Sequence, residues 1–250
     1  MSTNRGLVRV ERGAKRVRVQ LGGEVIADTT EPVLVWEVPY YPTYYLPAAD
    51  VRTEILVADG SVRHSPSRGE GQIYTVKTAR AQAPGAALRY ADSPIEELRG
   101  LIRLDWAAMD AWFEEDEQVF VHPRDPYTRI DVLNSSRHIR VEIDGVTVAE
   151  SSSPHLLFET GRPVRYYLPK THVRMDLLEP AETVSYCPYK GQAEYWSIRA
   201  GDRVHADLAW SYRNPLPESQ KIIGLVAFYN EKVDIYVDGV LQERPKSIFA

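Results

Sequence analysis

Cysteine is almost missing from this chain. Cys187 stands alone among 250 residues, so no disulfide can close within it. Long apolar runs are missing too. No stretch approaches the ~20 apolar residues that a membrane-crossing helix needs, and the opening Met1-Ser2-Thr3-Asn4-Arg5 lacks a basic-then-apolar leader pattern. The chain is therefore expected to be cytoplasmic, with no membrane partner. Charge of one sign is not in excess: 30 Lys and Arg face 35 Asp and Glu, a net charge of -5, and no basic cluster dominates. That argues against nucleic acid as a partner. Six histidines are scattered at 64, 122, 138, 155, 172 and 205, in none of the spacings that ligate a metal, so no metal is expected. There is no Gly-x-x-x-x-Gly-Lys loop to cradle phosphates and no Gly-x-Ser-x-Gly elbow for a serine hydrolase. The pattern names no cofactor and sets no oligomeric state.

What is present is the same domain twice. Residues 17–76 laid on 139–198, at a shift of 122, give 17 identical pairs among 60 without a gap. Tyr44-Tyr45-Leu46-Pro47 falls on Tyr166-Tyr167-Leu168-Pro169, Val51-Arg52 on Val173-Arg174, and Glu37 on Glu159. Further on the shift becomes 124: Gly100-Leu101 meets Gly224-Leu225 and Asp110 meets Asp234, so the second copy gains two residues between 199 and 223. The expected domains are 1–121 and 122–250. Their joint lies near 122–128, where Pro123 and Pro126 stiffen the connection.

Both copies read as mostly β. Val17-Arg18-Val19-Gln20-Leu21 and Ile139-Arg140-Val141-Glu142-Ile143 alternate with the period of a half-buried strand. Gly22-Gly23 and Asp144-Gly145 follow as hairpin turns. More strands are expected at 165–168, 194–198, 206–210, 225–229 and 233–237. Helix is scarce: Ser93-Pro94-Ile95-Glu96 reads as the start of a short one, with 217–223 as its counterpart. The acidic run Glu114-Glu115-Asp116-Glu117 reads as a solvated turn. The fold class is two similar antiparallel β domains with few short helices.

Several strings resemble the family of domain of unknown function 427, sometimes labelled nucleotidyltransferase-like. They are Trp112 to Glu117, Val119 to Tyr127, Glu159, Arg165 to Pro169, Cys187-Pro188-Tyr189-Lys190-Gly191, Trp210-Ser211-Tyr212, Pro215 and Ala227 to Glu231. The likeness spans nearly the whole chain in its doubled form. It implies folded-over antiparallel sheets, similar to the tent-like folds of zinc-binding chaperones and methionine sulfoxide reductases. Those folds often hold zinc with paired Cys-x-x-Cys motifs, which one cysteine cannot supply. The family brings no established reaction, and the acidic pair and Gly-rich turn of nucleotidyl transfer are not evident.

Candidate chemistry centres on Cys187. A thiol attacks as thiolate, and a nearby cation such as Lys190 favours that form; alternatively Cys187 is an inert small hydrophobe in a strand. The first copy has Ser65 and Arg68 at these positions, so thiol chemistry is confined to the second copy, whereas anion binding is open to both. Glu159 suits a general base or an anchor, or a structural ion pair with Arg165 or Arg174. One tyrosine of each Tyr-Tyr pair should enter the core, while the other lines a pocket. Tyr195, Trp196, Trp210 and Tyr212 suit either a flat-ring pocket or a β core. His122, beside Arg124 and Asp125, suits a site at the joint or a linker pin. Two functions follow: a small-molecule site in the second domain, with Cys187, Lys190 and Glu159 catalytic and Tyr167, Tyr195, Trp210, Tyr212, Arg165 and His122 binding, or a non-catalytic ligand-sensing or protein-interaction scaffold.

Overall fold

The computed structural model describes residues 8–247. The chain divides into two compact units, residues 1–125 and 126–250. Among the described residues each has eleven strands. In the first these are β1 (Arg9–Arg12), β2 (Val17–Leu21), β3 (Glu24–Thr29), β4 (Val33–Val38), β5 (Tyr41–Pro47), β6 (Leu56–Ser65), β7 (Gly69–Lys77), β8 (Gln82–Arg89), β9 (Leu101–Leu104), β10 (Ala111–Glu114) and β11 (Glu117–Val119). The second continues with β12 (Ile130–Asn134), β13 (Ile139–Ile143), β14 (Val146–Ser151), β15 (His155–Glu159), β16 (Arg165–Tyr167), β17 (Leu178–Cys187), β18 (Gly191–Ala200), β19 (Arg203–Tyr212), β20 (Val226–Phe228), β21 (Asp234–Val237) and β22 (Val240–Leu241). All named pairings are antiparallel, and the fold is mostly β with short 3₁₀ turns.

Strand order repeats from unit to unit. The first has a seven-stranded sheet, β1-β4-β5-β9-β8-β7-β6, and a four-stranded one, β11-β10-β2-β3. The second has the matching β14-β13-β21-β22 sheet. Its long sheet is split into β12-β15-β16 and β17-β18-β19-β20. One two-way bridge joins the pieces: Leu168 and Val226 exchange N–H···O bonds of 2.8 and 2.9 Å. This is the place where Leu46 pairs with Ile102 in the first unit.

The alternating strands form as their patterns require. Val17, Val19 and Leu21, and their twins Ile139, Val141 and Ile143, are all buried on one side. The turns after them hold positive φ at both central residues, Gly22 and Gly23 (64° and 76°) or Asp144 and Gly145 (49° and 77°), which matches the twist of a two-residue hairpin. The main core of each unit packs between the small sheet and one face of the long sheet. A smaller core covers other positions of the long sheet: Val35, Tyr45, Leu88, Tyr90, Leu98 and Leu101 in the first unit, and the aromatic group described below in the second.

Three expectations change. Tyr44 and Tyr45 are both buried, because the first enters the main core and the second the smaller one. Glu114 is no solvated turn residue: it is buried, pairs with Lys15 and accepts from Tyr44 Oη at 2.9 Å, while Glu115 and Asp116 make the turn. Asp110 does not match Asp234. Ala111 pairs with Gln20 as Asp234 pairs with Glu142, so the second copy drops one residue there. Its two extra residues lie in the longer 3₁₀ turn Pro217–Ile222, against Glu96–Leu98 in the first copy. At that earlier turn Ser93 Oγ accepts from the Ile95 N–H at 3.1 Å, but only three residues become helical.

The Cys-Pro-x-Lys-Gly string is a hairpin turn, with Cys187 ending β17 opposite Gly191 at the start of β18. Gly191 has φ 91°, and a Cβ there would meet the Asn214 carbonyl oxygen at 3.3 Å. Gly201 also has positive φ but open space around it. Gly191→Ala should lower stability by about 1–2 kcal/mol from backbone strain alone, and by more than Gly201→Ala; urea unfolding of the two variants measures the difference.

Candidate functional site

The period of two in a strand gathers the second unit's polar side chains. Arg165 and Tyr167 share a face of β16, Trp210 and Tyr212 share a face of β19, and Tyr195 on β18 sits opposite Trp210. Tyr167, Trp210 and Tyr212 are buried with Val132, Leu157, Ala193, Ile222 and Ala227, and Tyr195 and Tyr229 pack against them half-buried. Tyr167 meets Trp210 edge-on at 6.3 Å between ring centres and accepts from its indole N–H at 3.1 Å. Trp210 and Tyr229 lie 4.6 Å apart at a 47° tilt. The Tyr195 hydroxyl reaches Ser185 Oγ at 2.8 Å and Tyr229 Oη at 3.3 Å. Of the four aromatics that suited pocket or core, Trp210 and Tyr212 are core residues, Tyr195 borders them, and Trp196 packs half-buried against the main core.

Two enclosed ion pairs flank this group. Lys190, in the hairpin turn, donates to Glu159 Oε2 at 2.5 Å, with 11% and 14% of the two side chains exposed. Glu159 therefore pairs with neither Arg165 nor Arg174: Arg174 holds Asp176, and Arg165 grips Glu231 in a fork of 2.7 and 2.8 Å. The Glu231 side chain is wholly buried. Asn230 Oδ1 also accepts from Arg165 at 3.2 Å, and the guanidinium lies 5.5 Å from the Trp210 ring centre. Ser247 adds a hydroxyl donor to Glu231 at 2.5 Å. The Arg165–Glu231 pair links positions 66 apart, so no local spacing announced it.

Cys187 is partly buried at the end of β17. Burial pushes the Tyr212 phenol far up, and the neighbouring Tyr167, Cys187, Tyr195 and Glu159 add to that shift. Burial likewise raises Tyr167, against the Trp210 hydrogen bond and Arg165, with Cys187 and Glu159 adding. Both phenols thus stay protonated at neutral pH, as hydroxyl groups near the thiol. Lys190 and Glu159 are thus brought together, and Tyr167 and Tyr212 lie within electrostatic reach of Glu159 and Cys187.

His122 belongs to the first unit and stacks on Tyr41 at 3.9 Å, with its Nδ1 2.7 Å from the Pro123 carbonyl. Asp125, nearby in sequence, accepts from the Trp36 indole at 2.8 Å. Clefts of about 300 Å³ open in each unit. The second unit's is lined by residues of 130–133 and 217–221 and includes none of the candidate catalytic or binding residues.

The equivalent position in the first unit is built differently. Glu37 accepts from Tyr45 Oη at 2.6 Å and has two cations nearby, Arg103 Nε at 3.3 Å and Arg68 Nε at 3.9 Å. Ser65, in the place of Cys187, is buried and accepts from the Arg68 N–H at 3.3 Å. Sequence comparison had found Arg68 but not Arg103, which reaches the carboxylate from β9.

The Arg165–Glu231 pair carries a pH signature. Burial alone would raise Glu231, but the hydrogen bonds from Arg165 and Ser247 outweigh it and hold the carboxyl below its ordinary range. A depressed folded pKa stabilises the fold above the unfolded value of ~4.3, and that stability is lost as pH falls through the folded value. Glu231→Gln should therefore lose less stability than the parent chain between neutral pH and about pH 3, while being less stable at neutral pH; urea midpoints at the two pH values test both.

No helix among the described residues is long and apolar enough to cross a membrane. No curated protein matches the chain. The family model described as domain of unknown function (DUF427) matches twice, over residues 9–115 and 131–239, one match in each unit. A doubled strand order, a shared hairpin turn and one family match in each unit have one meaning: this chain is a tandem member of the DUF427 family.

Proposed function

We propose that this is a cytoplasmic protein whose second domain binds a small molecule beside Cys187 and uses the thiol on it. Lys190 is the cation that favours the thiolate or holds an anionic part of the ligand. Glu159 orients that ammonium, and the Tyr167 and Tyr212 hydroxyls face the same neighbourhood. Tyr195, Trp210 and Arg165 form the wall behind them. The observation that carries this reading is the Lys190–Glu159 pair, formed by the very turn whose first residue is Cys187. A turn kept only for its shape has no use for an enclosed charge pair, because taking both ions from water costs more than their attraction often returns.

The scaffold reading is supported by the core packing of Tyr167, Trp210 and Tyr212, which fill space and do not line the cleft at 130–133 and 217–221. Alkylation separates the two. Under the thiol reading, iodoacetamide modifies Cys187 in the folded chain at neutral pH: a carbon–sulfur bond forms, iodide leaves and the thiol proton passes to solvent. Lys190→Met should slow that reaction several-fold while leaving the alkylation rate in denaturant unchanged. A thiol silent until denaturant is added would overturn the reading in favour of the scaffold.

A further inference from the structure

The cleft of the first unit lies where the second unit keeps a salt bridge. Thr43 pairs with Val35 as Arg165 pairs with Leu157, so Thr43 takes the place of Arg165. The turn in which the Ala108 N–H bonds the Asp105 carbonyl repeats as Lys232 N–H to Tyr229, so Ala107 takes the place of Glu231. Two small residues therefore replace the two halves of a buried guanidinium–carboxylate pair. Both line the cleft of about 300 Å³, which is enough for a one- or two-ring molecule.

Its other walls are planar or charged. Trp106 stacks on Trp112 at 4.6 Å and 7°, and Tyr41 stacks on His122 at 3.9 Å and 11°; all four border the cleft. Val121, also at its edge, has φ 74° and is spanned by a hydrogen bond from His122 N–H to the Phe120 carbonyl. A positive φ is strained for a β-branched residue, and such strain gathers at ligand sites.

Arg103 is the charged wall. Only 17% of its side chain is exposed. Its Nε lies 3.3 Å from Glu37 Oε1 but makes no hydrogen bond there, and Nη1 is 3.7 Å from Asp105. Glu37 is shared with Arg68 and already accepts from Tyr45. Two enclosed guanidinium groups thus face one enclosed carboxylate. Asp105, the other acid, is 42% exposed and caps the Ala107 N–H at 3.1 Å. A guanidinium that makes ion pairs but no hydrogen bond at Nε, beside aromatic faces, is the complement of a flat acid.

We propose that the first unit binds a small aromatic monocarboxylate in this cleft, its carboxylate on Arg103 and its ring against the tryptophan and tyrosine–histidine stacks. The ligand carboxylate does for Arg103 what Glu231 does for Arg165. The site is independent of Cys187 and makes the first unit a binding domain in its own right.

Titration of the full chain with indole-3-acetate tests this, read by calorimetry and by tryptophan fluorescence. Saturable binding at one site per chain is expected, with indole roughly tenfold weaker for want of the carboxylate. Arg103→Met should weaken indole-3-acetate by a similar factor. The double change Thr43→Arg with Ala107→Glu, which rebuilds the second unit's pair inside the cleft, should abolish binding while the thermal midpoint holds or rises. Cys187→Ser should bind as the parent does. No saturation by about 5 mM, full binding by the double variant, or loss of binding with Cys187→Ser would each overturn the proposal.

Discussion

Lys190 and Glu159 are the pair on which the second unit's polar chemistry depends. They come from a hairpin turn and the end of β15, 31 positions apart, and meet at 2.5 Å with little exposure of either. Breaking one side of such a pair strands a charge in a place water scarcely reaches, a loss of roughly 3 kcal/mol or more when burial is complete and less here. That asymmetry locks the turn's conformation. Gly191 can bend there because it has no side chain, the Asn214 carbonyl closes against it, and the ammonium that follows Pro188 is directed back over the sheet. The location of Cys187 is a consequence: it is the last residue before that bend.

The duplication shows how much of this belongs to the scaffold. The strand order, the positive φ at Gly69 and Gly191, the bridges Ala27–Val51 and Ala149–Val173, and the tyrosines at 45 and 167 are common to both units. What differs is the polar filling of one face. The first unit sets two arginines around one glutamate and joins a tyrosine to it. The second turns its tyrosine to a tryptophan, assigns one cation to each glutamate and fills the remaining space with the Arg165–Glu231 fork. Because the frames match, each difference reads as a chemical substitution at a fixed place. Thr43 and Ala107, standing where the second unit has Arg165 and Glu231, leave space that the first unit's cleft occupies.

The period-two strands were legible because their signal is local: Val17, Val19 and Leu21 face one core and their neighbours are only half-buried. The Tyr44–Tyr45 pair misled for a physical reason. Alternation separates core from solvent only when one face of a sheet is covered, and β5 is covered on both, by the main core and by the smaller one. The repeat exposed Glu159 and Lys190 as special through their twins at 37 and 68. It could not pair them, since an ion pair is set by the fold's return path and not by spacing. Arg103 and Glu231 were hidden for a further reason. Their partners in the other copy are Ala227 and Ala107, so the comparison that found the rest of the site passed over them. The one-residue loss before β21 was hidden as well, because Asp110 and Asp234 are identical residues in different registers.

Divergence between the copies also bears on the cysteine. Ser65 is buried and its hydroxyl accepts the Arg68 N–H, so at that turn the side chain has a structural task. A thiol accepts hydrogen bonds poorly, which makes Cys187 an inferior residue for the same task. A cysteine that replaced serine for packing alone would gain little at a partly exposed strand end, where burial of a small hydrophobe is incomplete. The second unit also exchanges Arg68 for Lys190, a cation with a compact, movable charge in place of a planar fork. Both exchanges move the turn away from fixed hydrogen bonding and toward a polarisable sulfur near a point charge. Packing and capping together favour the first unit's residues at this turn.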